Sequence, residues 1–138
     1  MSLDGAPIFE RNSKLTPKEI VQSAYDCFAT GDMETFASLF AEDATIVVNG
    51  MHKFSRTYNG IGDWMANHLA HLPSHYPGLS VVPLHMVEEN GHVFVHAHLT
   101  ADGLDSYSGH YDIIEDGKIK AFHIFDDSQK IAHAMKAP

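Results

Sequence analysis

Three titratable residues in the last third of the chain, His110, Asp112 and Asp126, are the strongest candidates for chemistry. His110 and Asp112 stand two apart in a β-rich run, so their side chains point to the same side of a strand. An imidazole there can act as a base or a polarising donor, or can serve as a hydrogen-bonded core histidine. A carboxylate in apolar surroundings has its neutral form favoured, which suits proton transfer near pH 7. Each acid also has a competing structural role. Asp112 can pair with Lys120, and Asp126 or Asp127 can cap a final helical turn. If His110 and Asp126 lie side by side, each is expected to favour the other's charged form.

Other combinations promise less. His96 and His98, two apart on a strand, point the same way and can chelate, but no third ligand is evident, so no metal is expected. Cys27 has no basic neighbour in sequence to activate its thiol. No glycine-rich phosphate loop or nucleotide fingerprint is present, and no cofactor is expected.

These residues need elements to position them. Thr16-Pro17-Lys18-Glu19 forms a capping box with proline at the first helical position. Ile20, Val21, Ala24, Tyr25 and Phe28 follow at helical spacing, and Gly31 supplies a stop. Asp32 starts a second helix with Phe36, Leu39 and Phe40 inward, ending near Glu42-Asp43. A short strand over Thr45 to Val48 precedes a loop or irregular hairpin to Gly60. Gly62-Asp63 opens a third helix with Trp64, Met65, His68, Leu69 and Leu72 on one side and Pro73 closing it. Four β-rich runs complete the chain: Leu79 to Val87, His92 to Ala101, Tyr107 to Ile114 and Ile119 to Phe125. Helices followed by long antiparallel strands predict an α+β fold with one sheet face covered by helices.

Parity sorts the strand residues. Val93, Val95, Ala97 and Leu99 form an apolar set that belongs under the helices, which sends His92, Phe94, His96 and His98 outward. The closing hairpin is open to two readings, because Glu115-Asp116-Gly117 suits a type I turn with a glycine bulge as well as a two-residue turn. With the bulge, Ile114 faces Lys118 and His110 sits opposite Phe122, and a one-residue slip would reverse the faces.

At 138 residues the chain fits one domain, here 15–138, after an unpatterned N-terminal arm over Met1 to Lys14. Nine basic residues against 18 acidic ones leave a net charge of −9, which argues against nucleic acid as a partner. A lone cysteine, the absence of a signal-peptide pattern and the lack of an apolar run near about 20 residues predict a cytoplasmic protein that is not a membrane protein.

The segments "YDCFATGDMETFASLFAEDATIVVNG", "YNGIGDWMANHL" and "IIEDGKIKAFHIFDDSQKIAHA" resemble the nuclear transport factor 2-like superfamily, in its SnoaL-like and ketosteroid-isomerase-like group. The resemblance spans Thr16 to Ala134. It implies a cone-shaped, curved antiparallel sheet wrapped around two to three N-terminal helices, the cystatin-like roll. It also implies a conical pocket for small apolar molecules and a homodimer formed through the outer sheet face. His110, Asp112, Phe122, Ile124 and Asp126 would then face the pocket, with Asp126 where a SnoaL-like cyclase is similar in placing its acid/base Asp. The general-base Asp, the Tyr and the protonated Asp of ketosteroid isomerases fall on Val48, Ala24 and His110, so that route of steroid isomerisation is not implied.

The expected function is a small-molecule enzyme, an isomerase, cyclase or dehydratase acting by proton transfer on an apolar carbonyl or polyketide-like substrate. The alternative is a non-catalytic ligand-binding or dimerisation module. His110, Asp126 and Asp112 are the catalytic candidates. Tyr25, Trp64, Asn67 and His68 are placed to roof the cavity, although core packing also accounts for the aromatics and a solvated helix edge for His68. Val95, Leu99, Phe122 and Ile124 would line it, and Tyr58 would flank its mouth.

Overall fold

Thr16 starts the first helix in the computed structural model, which describes residues 15–137; the arm expected over Met1 to Lys14 lies outside the described residues. The Thr16 hydroxyl accepts from the Glu19 amide at 3.2 Å, and the Glu19 carboxylate accepts from the Thr16 amide at 2.9 Å. Helix α1 (Pro17–Thr30) buries Ile20, Val21, Ala24 and Tyr25 and stops at Gly31, whose φ of 79° favours glycine.

Helix α2 (Met33–Ser38), capped by Asp32, is shorter than its pattern suggested. The chain leaves the helix because β1 (Phe40–Val48) pairs in parallel with β6 (Lys118–Asp126) already at Phe40, opposite Ile119. Strand pairing thus takes up the backbone groups that a longer helix would have used, and Phe40 is buried from a strand. The expected irregular hairpin contains β2 (Arg56–Asn59), paired antiparallel with β1.

The third helical segment is broken. Helix α3 (Ile61–Asn67) ends at His68, a tight 3-10 turn covers Leu69–His71, and α4 (Leu72–His75) follows. Pro73 therefore closes no helix. It sits in the first turn of α4, where a missing amide hydrogen costs nothing.

Strands β3 (Ser80–Glu89), β4 (His92–Ala101) and β5 (Leu104–Glu115) complete a six-stranded sheet of order β2-β1-β6-β5-β4-β3. Helix α5 (Ser128–Ala134) ends the chain. Helices cover one sheet face, and Val93, Val95 and Ala97 of β4 are fully buried there. Phe94 is 43% exposed on the other face, as parity requires.

The β5–β6 hairpin takes the two-residue reading of its turn, not the type I turn with a glycine bulge, and adds a bulge further along the strand. Asp116 and Gly117 have φ of 51° and 74°, the backbone of a two-residue primed turn, so Glu115 pairs with Lys118 and Ile114 with Ile119. That register alone would have sent Phe122 and Ile124 to the face opposite His110. A bulge at Lys120 restores parity, because Ile113 then pairs with Ala121 and Asp112 with Phe122. His110 consequently lies opposite Ile124, not Phe122, although it shares a face with both.

Candidate active site

Strand β5 places His110 and Asp112 on the concave face, and α1 lays Tyr25 across them. The Tyr25 hydroxyl meets Nδ1 of His110 at 2.5 Å, and the two rings stack in near-parallel planes. Burial disfavours charge on both. The His110 imidazole is pulled down to about 4, and the Tyr25 phenol is pushed up, mainly by burial and secondarily by Asp112. The expectation that His110 favours its charged form beside Asp126 is thereby overturned: desolvation prevails, and the imidazole's partner is Tyr25.

Asp112 is 1% exposed, and its Oδ2 finds no hydrogen-bond partner among the described residues. Burial pushes its carboxyl well above the usual range. Lys120 does not pair with it; the lysine reaches Asp43 on the surface at 3.5 Å.

Asp127 takes the cap of α5, accepting from the Lys130 amide at 3.2 Å, which leaves Asp126 free to face inward. Asp126 lies opposite Ser108, its Oδ1 is buried without a partner among the described residues, and burial raises its pKa. Its backbone is held by Asn49, whose side-chain amide donates to the Asp126 carbonyl at 3.0 Å and accepts from the Asp126 amide at 3.1 Å. Asn49 opens the loop that carries His52 into the same cavity. There the His52 Nδ1 accepts from the Phe54 amide at 3.2 Å, and Nε2 is buried without a partner among the described residues.

The cavity between helices and sheet has a volume of about 110 Å³. Its walls are apolar except for Tyr25, His52, His68, Tyr76, His110, Asp112 and Asp126. Of the residues singled out in the sequence, Trp64, Leu99, Phe122 and Ile124 line it too. His68 is inside rather than on a solvated edge, because the break after α3 turns its ring inward, where Nδ1 accepts from Trp64 Nε1 at 2.8 Å. That same break leaves Asn67 exposed, bonded to Asp63 at 2.7 Å and away from the roof. Val95 packs into the core beneath α1 and does not reach the cavity wall. Tyr58 is fully buried behind the wall, donating to the Phe54 carbonyl at 2.8 Å, and flanks no opening.

A family profile for the SnoaL-like domain matches residues 21–122. The chain belongs to the SnoaL-like domain family. Solved structures share the fold. Bal32a, from a soil-derived mobile gene cassette, is 21% identical with a TM-score of 0.80, covering 87% of this chain and 96% of its own. A cystatin-like protein of unknown function from Xanthomonas campestris is 23% identical with a TM-score of 0.77, covering 87% of this chain and 97% of its own. TerC, co-crystallised with polyporic acid, is 21% identical with a TM-score of 0.75, covering 86% and 98%. No curated protein sequence matches this SnoaL-like chain.

On the outer sheet face of the SnoaL-like domain, His98 pairs with Asp105 at 2.7 Å and His96 stacks on Tyr107. Among the described residues no three His, Cys, Asp or Glu side chains converge as metal ligands, and no helix is long and apolar enough to cross a membrane. His52 had no signal in the sequence, since it sits in an aperiodic Met51-His52-Lys53 stretch. Tyr76 was equally silent, between a proline-containing turn and a strand.

Proposed function

We propose that this SnoaL-like domain is a small-molecule enzyme that moves a proton on a largely apolar carbonyl compound, in the manner of an isomerase, cyclase or dehydratase. The observation that carries the reading is the pair of inward carboxyls, Asp112 and Asp126, each with raised pKa and an oxygen without a partner among the described residues, in a largely apolar cavity. A carboxyl whose neutral form is favoured by burial is a stronger base once ionised, which suits proton transfer.

The strand register keeps the two acids apart, which supports giving them different tasks. Asp112 pairs with Phe122 and Asp126 with Ser108, which separates them by four residues along the hairpin, about 13 Å. They cannot share one reacting atom. His110 lies between them, diagonal to Asp126. With the Tyr25 O–H donating to Nδ1, the ring proton of His110 resides on Nε2. In the reaction we envisage, the Asp126 carboxylate takes a proton from the carbon next to a ligand carbonyl, and His110 Nε2–H bonds the developing enolate oxygen. Asp126 then returns the proton to another carbon, or to the same one in simple exchange. Asp112 stays protonated at the far end beside Tyr25. That TerC was crystallised with polyporic acid supports a small-molecule cavity in this fold.

Deuterium exchange at the acidic carbon of tetralone in heavy water tests the reading. The protein is expected to speed exchange above buffer, and Asp126→Asn to abolish the increase. Tetralone that binds without accelerated exchange would favour the non-catalytic binding module.

We also propose that the outer sheet face takes a second copy of this chain. Val87, Phe94, Tyr107 and Phe125 are 43–65% exposed there, next to the His98–Asp105 pair. Phe94 lies flat over Gly109, where an added Cβ would come within 2.7 Å of the ring. A dimer by light scattering at micromolar protein, lost in Phe94→Lys, is expected; a wild-type monomer overturns the proposal.

A further inference from the structure

We propose that the His52 and His68 imidazoles form a donor site for an uncharged keto oxygen at the end of the ligand away from Asp112, making them determinants of substrate class. The argument begins with which ring nitrogen holds the proton. A neutral imidazole has one donor and one acceptor nitrogen. In His52 the acceptor is Nδ1, occupied by the Phe54 amide at 3.2 Å. In His68 it is also Nδ1, occupied by Trp64 Nε1 at 2.8 Å. Both rings therefore carry their hydrogen on Nε2. The His52 Nε2–H is a buried donor with no acceptor among the described residues, a costly arrangement that a ligand oxygen would relieve.

The surroundings hold this donor in place. His52 N donates to Ser55 Oγ at 3.0 Å, and Ser55 Oγ donates to the Asn49 carbonyl at 2.7 Å, so the loop has a fixed shape. Asn49 ties the same loop to Asp126. The His68 ring is clamped between Phe54, 5.0 Å away, and Tyr58, 5.8 Å away. Phe122, opposite Asp112, packs its ring 5.4 Å from that of Trp64 and 5.2 Å from that of His110.

The chemistry of the acceptor follows from the charges present. Among the described residues no Lys or Arg lines the cavity, and the acidic groups there are Asp112 and Asp126. Burial keeps both imidazoles neutral, with His68 pulled down to about 4. A carboxylate ligand would enter with no counter-charge, whereas a ketone needs only the N–H donor. The length between the acids fits a bicyclic or longer skeleton. This inference rests on the proposed function only in placing the ligand in the same cavity; it stands whether or not Asp126 moves a proton.

Three probes of one shape test it: methyl naphthyl ketone, isopropenylnaphthalene, which replaces the oxygen by a methylene, and naphthoate. Hydration alone makes the alkene the better ligand of an apolar cavity. The donor site predicts the reverse, with the ketone bound roughly fivefold to tenfold more tightly. In His52→Leu that preference is expected to vanish while the alkene still binds. Imidazole nitrogen NMR supplies a readout free of any variant: His52 should show the Nε2–H tautomer, and its Nε2 resonance should move with the ketone but not with the alkene. A proton on Nδ1 of His52, a ketone preference that survives His52→Leu, tighter binding of naphthoate, or no binding of the ketone would each overturn the proposal. Loss of tetralone exchange in the presence of a His52-dependent ketone preference would sink the catalytic reading alone.

Discussion

The Tyr25 hydroxyl and Nδ1 of His110 meet across the cavity at 2.5 Å, joining the first helix to the middle of the sheet by one buried hydrogen bond. Both groups are shielded from water and both resist ionisation, so the bond is a neutral one that fixes the orientation of the imidazole.

Tyr25→Phe keeps the ring and removes the hydroxyl, leaving Nδ1 of His110 buried without a partner. We expect a loss of about 1–3 kcal/mol in unfolding free energy by urea titration. Exchange activity on tetralone should fall as well, since the imidazole is then free to change tautomer. A variant as stable as wild type would show that the bond contributes nothing.

Acidification should destabilise the protein through His68 and His110. Each binds a proton in the unfolded chain below the ordinary value of 6.5, but in the fold only near 4. Between those values the unfolded state holds more protons, so stability falls as pH drops. Relative to His110→Gln, wild type should lose roughly 2 kcal/mol between pH 7 and pH 5. Parallel stability curves for the two proteins would contradict the burial of a neutral His110.

Asp112→Asn should work in the other direction. The folded carboxyl keeps its proton to higher pH than the unfolded one, so the acid weakens the fold at neutral pH and recovers as pH falls. The amide carries no such penalty. It should be more stable than wild type at pH 7 by on the order of 1 kcal/mol, with the difference shrinking toward pH 4. At Asp126, replacement by Asn should instead lower turnover by about 10²–10⁴-fold. A gain at Asp112 that grows on acidification would refute the assignment.

Deleting Lys120 should abolish folding, whereas Lys120→Ala should change stability by less than about 1 kcal/mol. The side chain makes only a surface pair with Asp43, but its backbone is the extra residue of the bulge. Without it Phe122, Ile124 and Asp126 would turn to the outer face. A folded deletion variant, seen by circular dichroism and a cooperative melt, would mean that the register can reset.

Gly50→Ala should cost about 1–3 kcal/mol. Gly50 has φ of 97°, and an added Cβ would lie 2.4 Å from Cβ of Ser128 at the start of α5. The loop bearing His52 must then move, so ketone binding should weaken more than alkene binding. Unchanged selectivity would show that the loop's position is not set by that contact.

Much of the fold was legible along the chain because its signals are local. A capping box, a glycine stop and the alternation of Val93, Val95 and Ala97 with Phe94 and His96 each depend on residues within a turn or a strand. The same alternation puts His110 and Asp112 on one side of their strand, while which side that is depends on the hairpin register. What local pattern left open was the partner of each polar group. Lys120 stands close to Asp112 in sequence yet lies on the surface beside Asp43, because the bulge at that lysine resets the register. Tyr25 and His110 are far apart in the chain, and only the packing of α1 on the sheet brings them together. His52 acquires meaning solely from the loop that Asn49 pins to Asp126, and His68 from a helix break that periodicity could not foresee. Burial, the property that tunes all these groups, belongs to the assembled tertiary structure and to no segment alone.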